Sequence, residues 1–415
     1  MIKLLVIADD FTGALDTGVQ FAQKGIRTKV TMKTTISKEM VEDVDVLVVD
    51  SETRHKKPEE AAETVSNITK QAAAIGTEYF YKKTDSALRG NIGAELEAIL
   101  RASGHNILAC LPAFPKMNRL TKGGIQYIDN IPVSESVFAA DPFNPVVHSS
   151  VKEIIAEQSE LEIQQGLGAV CLTENPLILV LDADNQSALK EAGRQCIKDY
   201  KIRVFAGCAG FAEELAGLLG IETCPTEKLH LRDKITVLCG SVNPISVAQV
   251  NDAIKNGFVS VRFTAEQILQ KNFCGSKKGQ EYLHNLKEQV RNDPYVILSS
   301  NFEEKEETIL LAKKMGLSEE EMRSRIAENL GASMGWLYRN TETGTVMVIG
   351  GDTLEKFMKE MDISELTPYC ELFPGVVLSE FYVRGEKRRI LTKSGGFGEV
   401  SLLTELKRGF EIEGR

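Results

Sequence analysis

Short apolar runs recur along this chain, each closed by a small or polar turn and followed by a stretch whose apolar positions repeat at helical spacing. The first, residues 3–8, is a continuous run ending Leu4-Leu5-Val6-Ile7-Ala8 and reads as a strand buried on both faces. Residues 12–24 follow as a helix with Asp10 or Thr12 as its N-cap. Further strands are expected over 28–32, 44–49, 77–81, 107–111, 177–181 and 204–207, and helices over 59–74, 92–100 and 186–200. This alternation predicts a mostly parallel sheet with helices on both faces.

Residues 111–145 break the rhythm with Pro112, Pro115, Gly123-Gly124, Pro132 and Asp141-Pro142. The aromatic residues Phe114, Tyr127, Phe138 and Phe143 argue against disorder, so a structured insertion containing a hairpin is expected. A second interruption at 224–234 marks a domain boundary, and a new strand pattern begins at Lys234. Strands are expected at 234–239, 295–299 and 345–349, with helices at 318–337 and 354–361. The fold class is therefore α/β, as two α/β domains with mostly parallel sheets flanked by helices, covering residues 1–225 and 234–415.

Composition narrows the function. A length of 415 residues exceeds one comfortable core, and 43% hydrophobic with 26% charged residues is ordinary for a globular protein. A formal charge of −10 argues against a nucleic-acid partner, though a local basic pocket remains compatible with a small anion. No apolar run nears the roughly 20 residues needed to span a bilayer. The N-terminal run stops at Asp9-Asp10 before any small-residue cleavage site, so a first strand is expected there in place of a signal peptide. Eight scattered cysteines without a C-x-x-C pair suggest reduced thiols in a cytoplasm, and five dispersed histidines argue against a zinc site.

Candidate chemistry gathers at strand ends. Asp9 and Asp10 follow the first strand, where carboxylates can hold Mg²⁺, accept a proton or bind a polyol, or simply cap the helix and make a salt bridge. Lys83-Thr84-Asp85-Ser86-x-x-Arg89 reads as a polar loop with an arginine fork and an acceptor carboxylate, suited to a carboxylate or phosphate. Lys116 and Arg119 lie in the insertion and could join the same pocket, a weaker link because single lysines on loops are usually solvated. The second half carries three small polar turns, at Gly240-Ser241, Gly350-Gly351-Asp352-Thr353 and Ser394-Gly395-Gly396-Phe397-Gly398. Glycine permits close backbone approach, and a following helix N-terminus offers N–H groups to an anion. Neither a P-loop nor G-x-G-x-x-G is present, so three turns together carry the nucleotide reading.

With these residues in view, the chain resembles the four-carbon acid sugar kinase family. The resemblance rests on Ile7-Ala8-Asp9-Asp10-Phe11-Thr12-Gly13-Ala14 with Asp16-Thr17-Gly18, on Lys82 through Asn91, and on Pro112-Ala113-Phe114-Pro115-Lys116. It continues through Asp141-Pro142, Gly240-Ser241, Gly350-Gly351-Asp352-Thr353 and Lys393 through Gly398, in family order. Departures are Leu15, Met117-Asn118-Arg119 and Gly207-Cys208-Ala209-Gly210. The resemblance implies an N-terminal sugar-acid-binding domain, a C-terminal nucleotide-binding domain, and ATP-dependent phosphorylation of the terminal hydroxyl of threonate, erythronate or an oxo-tetronate.

The reading that results is a cytoplasmic phosphotransferase with an alcohol acceptor, its active site in the interdomain cleft. Asp9, Asp10, Lys83, Asp85, Ser86, Arg89 and Lys116 would bind the sugar acid, with Asp10 or Asp85 as catalytic base and Arg89 on the carboxylate. Gly240, Ser241, Gly350, Gly351, Asp352, Thr353, Gly395 and Gly396 would hold ATP, with Mg²⁺ arriving in MgATP through ligands the sequence leaves unknown. A homo-oligomer is compatible with the sequence. Two competitors stand beside this reading. One is an aspartyl-phosphate-type sugar phosphatase, opposed by Phe11 where its second carboxylate would fall. The other is a non-catalytic sugar-acid sensor.

Overall fold

The computed structural model describes residues 2–141, 143–168, 175–225, 229–230, 234–300, 305–408 and 411–412. Pro142, named above, lies outside the described residues, as do one of the eight cysteines, Cys171, and part of the boundary at 224–234. The chain divides into two compact units, Met1–Cys224 and Pro225–Arg415.

In the N-terminal unit the sheet strands are β1 (Leu4–Ala8), β2 (Thr28–Thr31), β3 (Val46–Asp50), β4 (Tyr79–Lys83) and β5 (Ile107–Leu111). A small antiparallel sheet follows, of β6 (Arg119–Lys122), β7 (Ile125–Ile128) and β8 (Ile131–Pro132), so the insertion does contain a hairpin. The main sheet resumes with β9 (Glu162–Gln165), β10 (Leu177–Val180) and β11 (Val204–Gly207). Its order is β2-β3-β1-β4-β11-β5-β10-β9, and every pairing is parallel. All five residues of β1, and of β3, are buried, as expected for strands covered by helices on both faces.

The first three helices are α1 (Phe11–Ala22), α2 (Pro58–Ala74) and α3 (Ile92–Ser103). Asp10 caps α1, its carboxylate accepting from the Gly13 N–H at 2.9 Å. Proline and two glutamates open α2, and Gly104 closes α3 at φ +75°. The chain runs from β1 outward to β2 and β3, then crosses to the other side of β1 to form β4. That reversal is the switch point at which open parallel sheets expose a ligand crevice. The register pairs Ala8 with both Asp50 and Lys83, so the ends of β1, β3 and β4 lie in one row.

In the C-terminal unit, β12 (Leu229–His230) pairs antiparallel with β20 (Glu411–Ile412). The main strands are β13 (Ile235–Cys239), β14 (Val259–Arg262), β15 (Tyr295–Ser299), β16 (Thr345–Ile349), β17 (Glu365–Phe373), β18 (Val376–Val383) and β19 (Glu386–Lys393). Order β14-β15-β13-β16-β19 is parallel, and β19-β18-β17 closes it as an antiparallel meander. The expected helix at 318–337 forms as Glu319–Asn340, opened by a reciprocal cap between Ser318 and Glu321. Each unit has its own apolar core.

Two features differ from expectation. Lys82 and Lys83 belong to β4 and are buried, where the sequence suggested a strand ending at residue 81 and a polar loop from Lys83. The meander was not anticipated. Its last strand begins Glu386-Lys387-Arg388-Arg389, partly exposed and too charged to read as a strand from apolar runs.

Candidate active site

Three strand ends converge on one ion-paired cluster. Asp9 and Asp10 follow β1, Arg54 follows β3, and Lys83 ends β4 with Asp85 just beyond. Arg54 donates from Nε to Asp9 at 2.6 Å and from Nη1 to Asp10 at 2.6 Å, and its Nη2 lies 3.8 Å from Asp85. Lys83 Nζ reaches the same two carboxylates at 3.3 and 3.4 Å. A Cβ at position 13 would collide with Lys83 Nζ and Asp10 Oδ1 and lie 2.6 Å from Lys83 Cε. Gly13 is therefore what lets the lysine reach the aspartates. Arg54 was missed from sequence because it sits in the basic run Arg54-His55-Lys56-Lys57, which carries no local mark of burial. The available signal was its place just past the strand that flanks β1.

Burial alone would push the Asp9 carboxyl up, but Arg54 and Lys83 overcome it and hold it well below the usual carboxylate range. The same opposition leaves Asp10 lowered. Asp85 is pushed up by burial and then held well below the normal range by Arg89 and Arg54. Burial also works against the charge of Lys83, yet Asp10 and Asp9 raise its pKa. The three aspartates differ in access: the side chain of Asp10 is 29% exposed, against 3% for Asp9 and 9% for Asp85.

Below the cluster lies a buried pair, Lys82 with Glu95 at 3.1 Å. Thr53 donates to Glu95, and Asn91 donates to the carbonyls of Thr53 and Lys56 at 2.8 and 2.9 Å. The loop carrying Arg54 is thus fixed from the far end of the Lys83–Asn91 segment. Within that segment Leu88 takes φ +63°, a conformation unusual for a non-glycine residue and a mark of strain.

Arg89 is present but already engaged. Its Nε and Nη2 donate to Asp85 at 3.0 and 2.9 Å, and Nη1 donates to Asp141 at 2.9 Å. Its guanidinium stands 5.0 Å from the Phe138 ring centroid, so the insertion supplies part of the site. The Ser86 carbonyl accepts from Gln126 of β7 at 3.2 Å. Lys116 does not join the cluster. It is exposed and pairs with Glu213 at 2.6 Å.

The glycine turns of the C-terminal unit end three adjacent parallel strands, β13, β16 and β19, with Ile349 registered against both Cys239 and Lys393. Gly240 leaves the space that Thr353 Oγ1 fills, and a Cβ at Gly395 would stand 2.6 Å from Ser241 Oγ. Gly350 takes φ +108° at the start of the helix Gly351–Glu360, which only glycine adopts without strain. Asn243 caps the helix Pro244–Lys255. Asp352 stands largely exposed, 3.2 Å from Arg323.

Lys393, already quoted with the tail motif, and Ser246 and Gln249, missed from sequence, hold the 394–399 turn by its carbonyls. Lys393 Nζ donates to Ser394 and Gly395 at 2.8 and 3.2 Å, Ser246 to Gly395 at 2.6 Å, and Gln249 to Phe397, Gly398 and Glu399 at 3.0, 3.1 and 2.9 Å. In a trans peptide the N–H opposes the C=O, and there are no cis peptides among the described residues. The amides of Gly395, Gly396 and Gly398 consequently point away from these clamps. Among the described residues no group of three or more His, Cys, Asp or Glu side chains could hold a metal ion.

Known proteins match both halves. The family model described as a sugar-binding N-terminal domain matches residues 4–215, and that described as a nucleotide-binding C-terminal domain matches 236–403. A D-threonate kinase of Salmonella typhimurium is 29% identical over 97% of this chain and 97% of its own. A D-erythronate kinase of Heliobacterium modesticaldum is 28% identical over 90% and 89%. A crystal structure of a Haemophilus influenzae protein superposes with a TM-score of 0.72 at 20% identity, covering 97% of this chain and 99% of that one.

Proposed function

The chain belongs to the four-carbon acid sugar kinase family, and we propose that it moves the γ-phosphoryl group of MgATP to the terminal hydroxyl of threonate, erythronate or an oxo-tetronate. It is thus a phosphotransferase with an alcohol group as acceptor. The observation that supports the reading is that each motif set gathers at the ends of neighbouring parallel strands, the first around paired side-chain charges and the second at glycine turns.

Asp10 is the carboxylate to orient and deprotonate the attacking hydroxyl, because it alone of the three keeps an open side chain. Its lowered pKa keeps it ionised, and phosphoryl transfer asks mainly for positioning and charge neutralisation. Asp9, Lys83, Asp85, Ser86 and Arg89 line the sugar-acid side. Gly240, Ser241, Gly350 to Thr353, Gly395 and Gly396 cradle the nucleotide phosphates. Magnesium enters with the nucleotide, on its phosphates. Residues 1–225 take the sugar acid and 234–415 the nucleotide. We place the protein in the cytoplasm. The seven cysteines among the described residues are free, and no described helix is long and apolar enough to cross a membrane.

A phosphatase reading has no support at its key position, since Phe11 is buried in the core and Asp9 is tied to Arg54 and Lys83. The deciding experiment is ADP release from MgATP against a panel of four- to six-carbon sugar acids. Phosphate release from sugar phosphates without any ATP-dependent reaction would overturn the proposal. Sugar-acid binding without ADP release would leave a sensor.

A further inference from the structure

The strand-end cluster is electrostatically occupied before any substrate arrives. Four carboxylates, of Asp9, Asp10, Asp85 and Asp141, meet three cations, of Arg54, Lys83 and Arg89. Lys82 and Glu95 cancel each other beneath it. The paired groups therefore carry one surplus negative charge, which repels the carboxylate of a sugar acid. Lys116 does not correct this, being engaged by Glu213 on the surface.

Arg119 does. It opens β6, and no carboxylate lies within ion-pair distance of it among the described residues. Its guanidinium stands 5.7 Å from the centroid of the Phe138 ring, the ring that also carries Arg89 at 5.0 Å. Charge from Arg119 also reaches the Cys208 thiol, together with that of Lys83 and Asp85. Burial pushes this thiol up, while Arg119 and Lys83 oppose the rise and Asp85 adds to it.

The position is built. Phe114 and Arg119 exchange backbone hydrogen bonds of 2.7 and 3.1 Å across a turn in which Asn118 takes φ +52°. A Cβ at Gly210 would stand 2.7 Å from the Phe114 ring, so the glycine seats that turn against the end of β11. Asparagine tolerates the left-handed conformation, which is why the turn forms without glycine.

We propose that Arg119 reads the substrate carboxylate, while Arg89, held by Asp85, Asp141 and Phe138, is a wall of the pocket in place of the anion receptor. The inference rests on the sugar-acid reading above and names the residue that selects acids over neutral polyols.

The test is calorimetric titration of wild type, Arg119→Ala and Arg119→Lys with D-threonate, D-erythronate and the matching four-carbon alditols, with ATP titrated in parallel. Arg119→Ala should weaken sugar-acid binding about 30-fold or more, the scale for losing one member of a desolvated charge pair. Arg119→Lys should retain part of the affinity, keeping charge but losing the planar fork. Alditol and ATP binding should not move. Unchanged sugar-acid binding in Arg119→Ala would overturn the proposal, and so would equal losses for acids and alditols, which would mark a packing role on Phe138. Wild type that binds sugar acid but releases no ADP would sink the kinase reading while the calorimeter still reads the Arg119 comparison. Wild type that binds neither acid would sink both.

Discussion

Lys83 and Lys393 each end a parallel strand, one in each unit, and both are buried, but their ammonium groups meet different partners. Lys83 meets the carboxylates of Asp9 and Asp10, whereas Lys393 meets the carbonyls of Ser394 and Gly395. In the first unit the charge neutralises side chains. In the second it draws carbonyls inward, so that the opposed amides of the turn face the other way. A four-carbon acid has one charge and several hydroxyls to distinguish, which calls for side chains. A polyphosphate presents many equivalent oxygens, which backbone N–H groups at glycine turns can cover.

The largest expected effect breaks this comparison through stability. Arg54→Met removes the cation shared by Asp9 and Asp10 and leaves buried carboxylates short of a partner. A loss of about 3–5 kcal/mol is expected in urea unfolding. Lys393→Met removes the donor to the Ser394 and Gly395 carbonyls and the Ser246 hydroxyl and should cost about 1–2 kcal/mol. Equal losses would mean the two lysine-ended turns are held in the same way after all.

Next is turnover. Asparagine can still cap α1 through the Gly13 N–H, so Asp10→Asn should fold and isolate the charge. Steady-state turnover should fall about 100-fold or more with the KM for ATP little changed. Full turnover would move the base to Asp85. Smaller again is the effect of Gly395→Val, whose Cβ would press on Ser241 Oγ at 2.6 Å. ATP affinity should drop about 10-fold or more while sugar-acid binding is kept, on the scale of overpacking a close-fitted site. Tight ATP binding by a folded variant would show that the glycine turns are not the phosphate cradle.

What could be read beforehand follows from where the decisive partners lie in sequence. The strands β1, β3, β5 and β16 and the cap at Asp10 announce themselves locally, as apolar runs and as an acidic residue three positions before the amide it binds. Lys82 and Lys83 looked like loop residues because their neutralising partners, Glu95 and the pair Asp9 and Asp10, arrive only when α3 and β1 pack beside β4. Arg54 was hidden for the same reason, its partners Asp9 and Asp10 lying more than forty positions away. The three glycine turns were visible one by one. That they end three neighbouring strands follows from a strand order that sequence does not state. Arg89 shows the converse: the motif was legible, but its pairing with Asp141 required the insertion to fold back.

The smallest effect sharpens the comparison inside the first site. Asp50 ends β3 in the same row as the residues around Asp9, paired with Ala8 in the register, but among the described residues no cation forms an ion pair with it. One carboxyl oxygen accepts from the Glu52 N–H at 3.1 Å, and the other is buried without a hydrogen-bond partner. Burial pushes its pKa well above the ordinary value, and repulsion from Glu52, Asp10 and Asp9 adds to the shift. Because the folded value lies above the unfolded one, the associated stability is fully present below the unfolded pKa and is lost as pH rises through the folded value. Asp9 and Asp10, with lowered pKa values, behave oppositely: their contribution stands above the unfolded pKa and is lost in acid. Asp50→Asn keeps the acceptor for Glu52 and abolishes the titration. It should therefore be more stable than wild type at pH 8 by about 1 kcal/mol, and the gap should close toward pH 4, near the unfolded carboxylate value. Urea midpoints at the two pH values decide the matter. A gap that is constant with pH, or a variant less stable at pH 8, would mean Asp50 has a partner that holds its charge, and the contrast with Asp9 and Asp10 would fall.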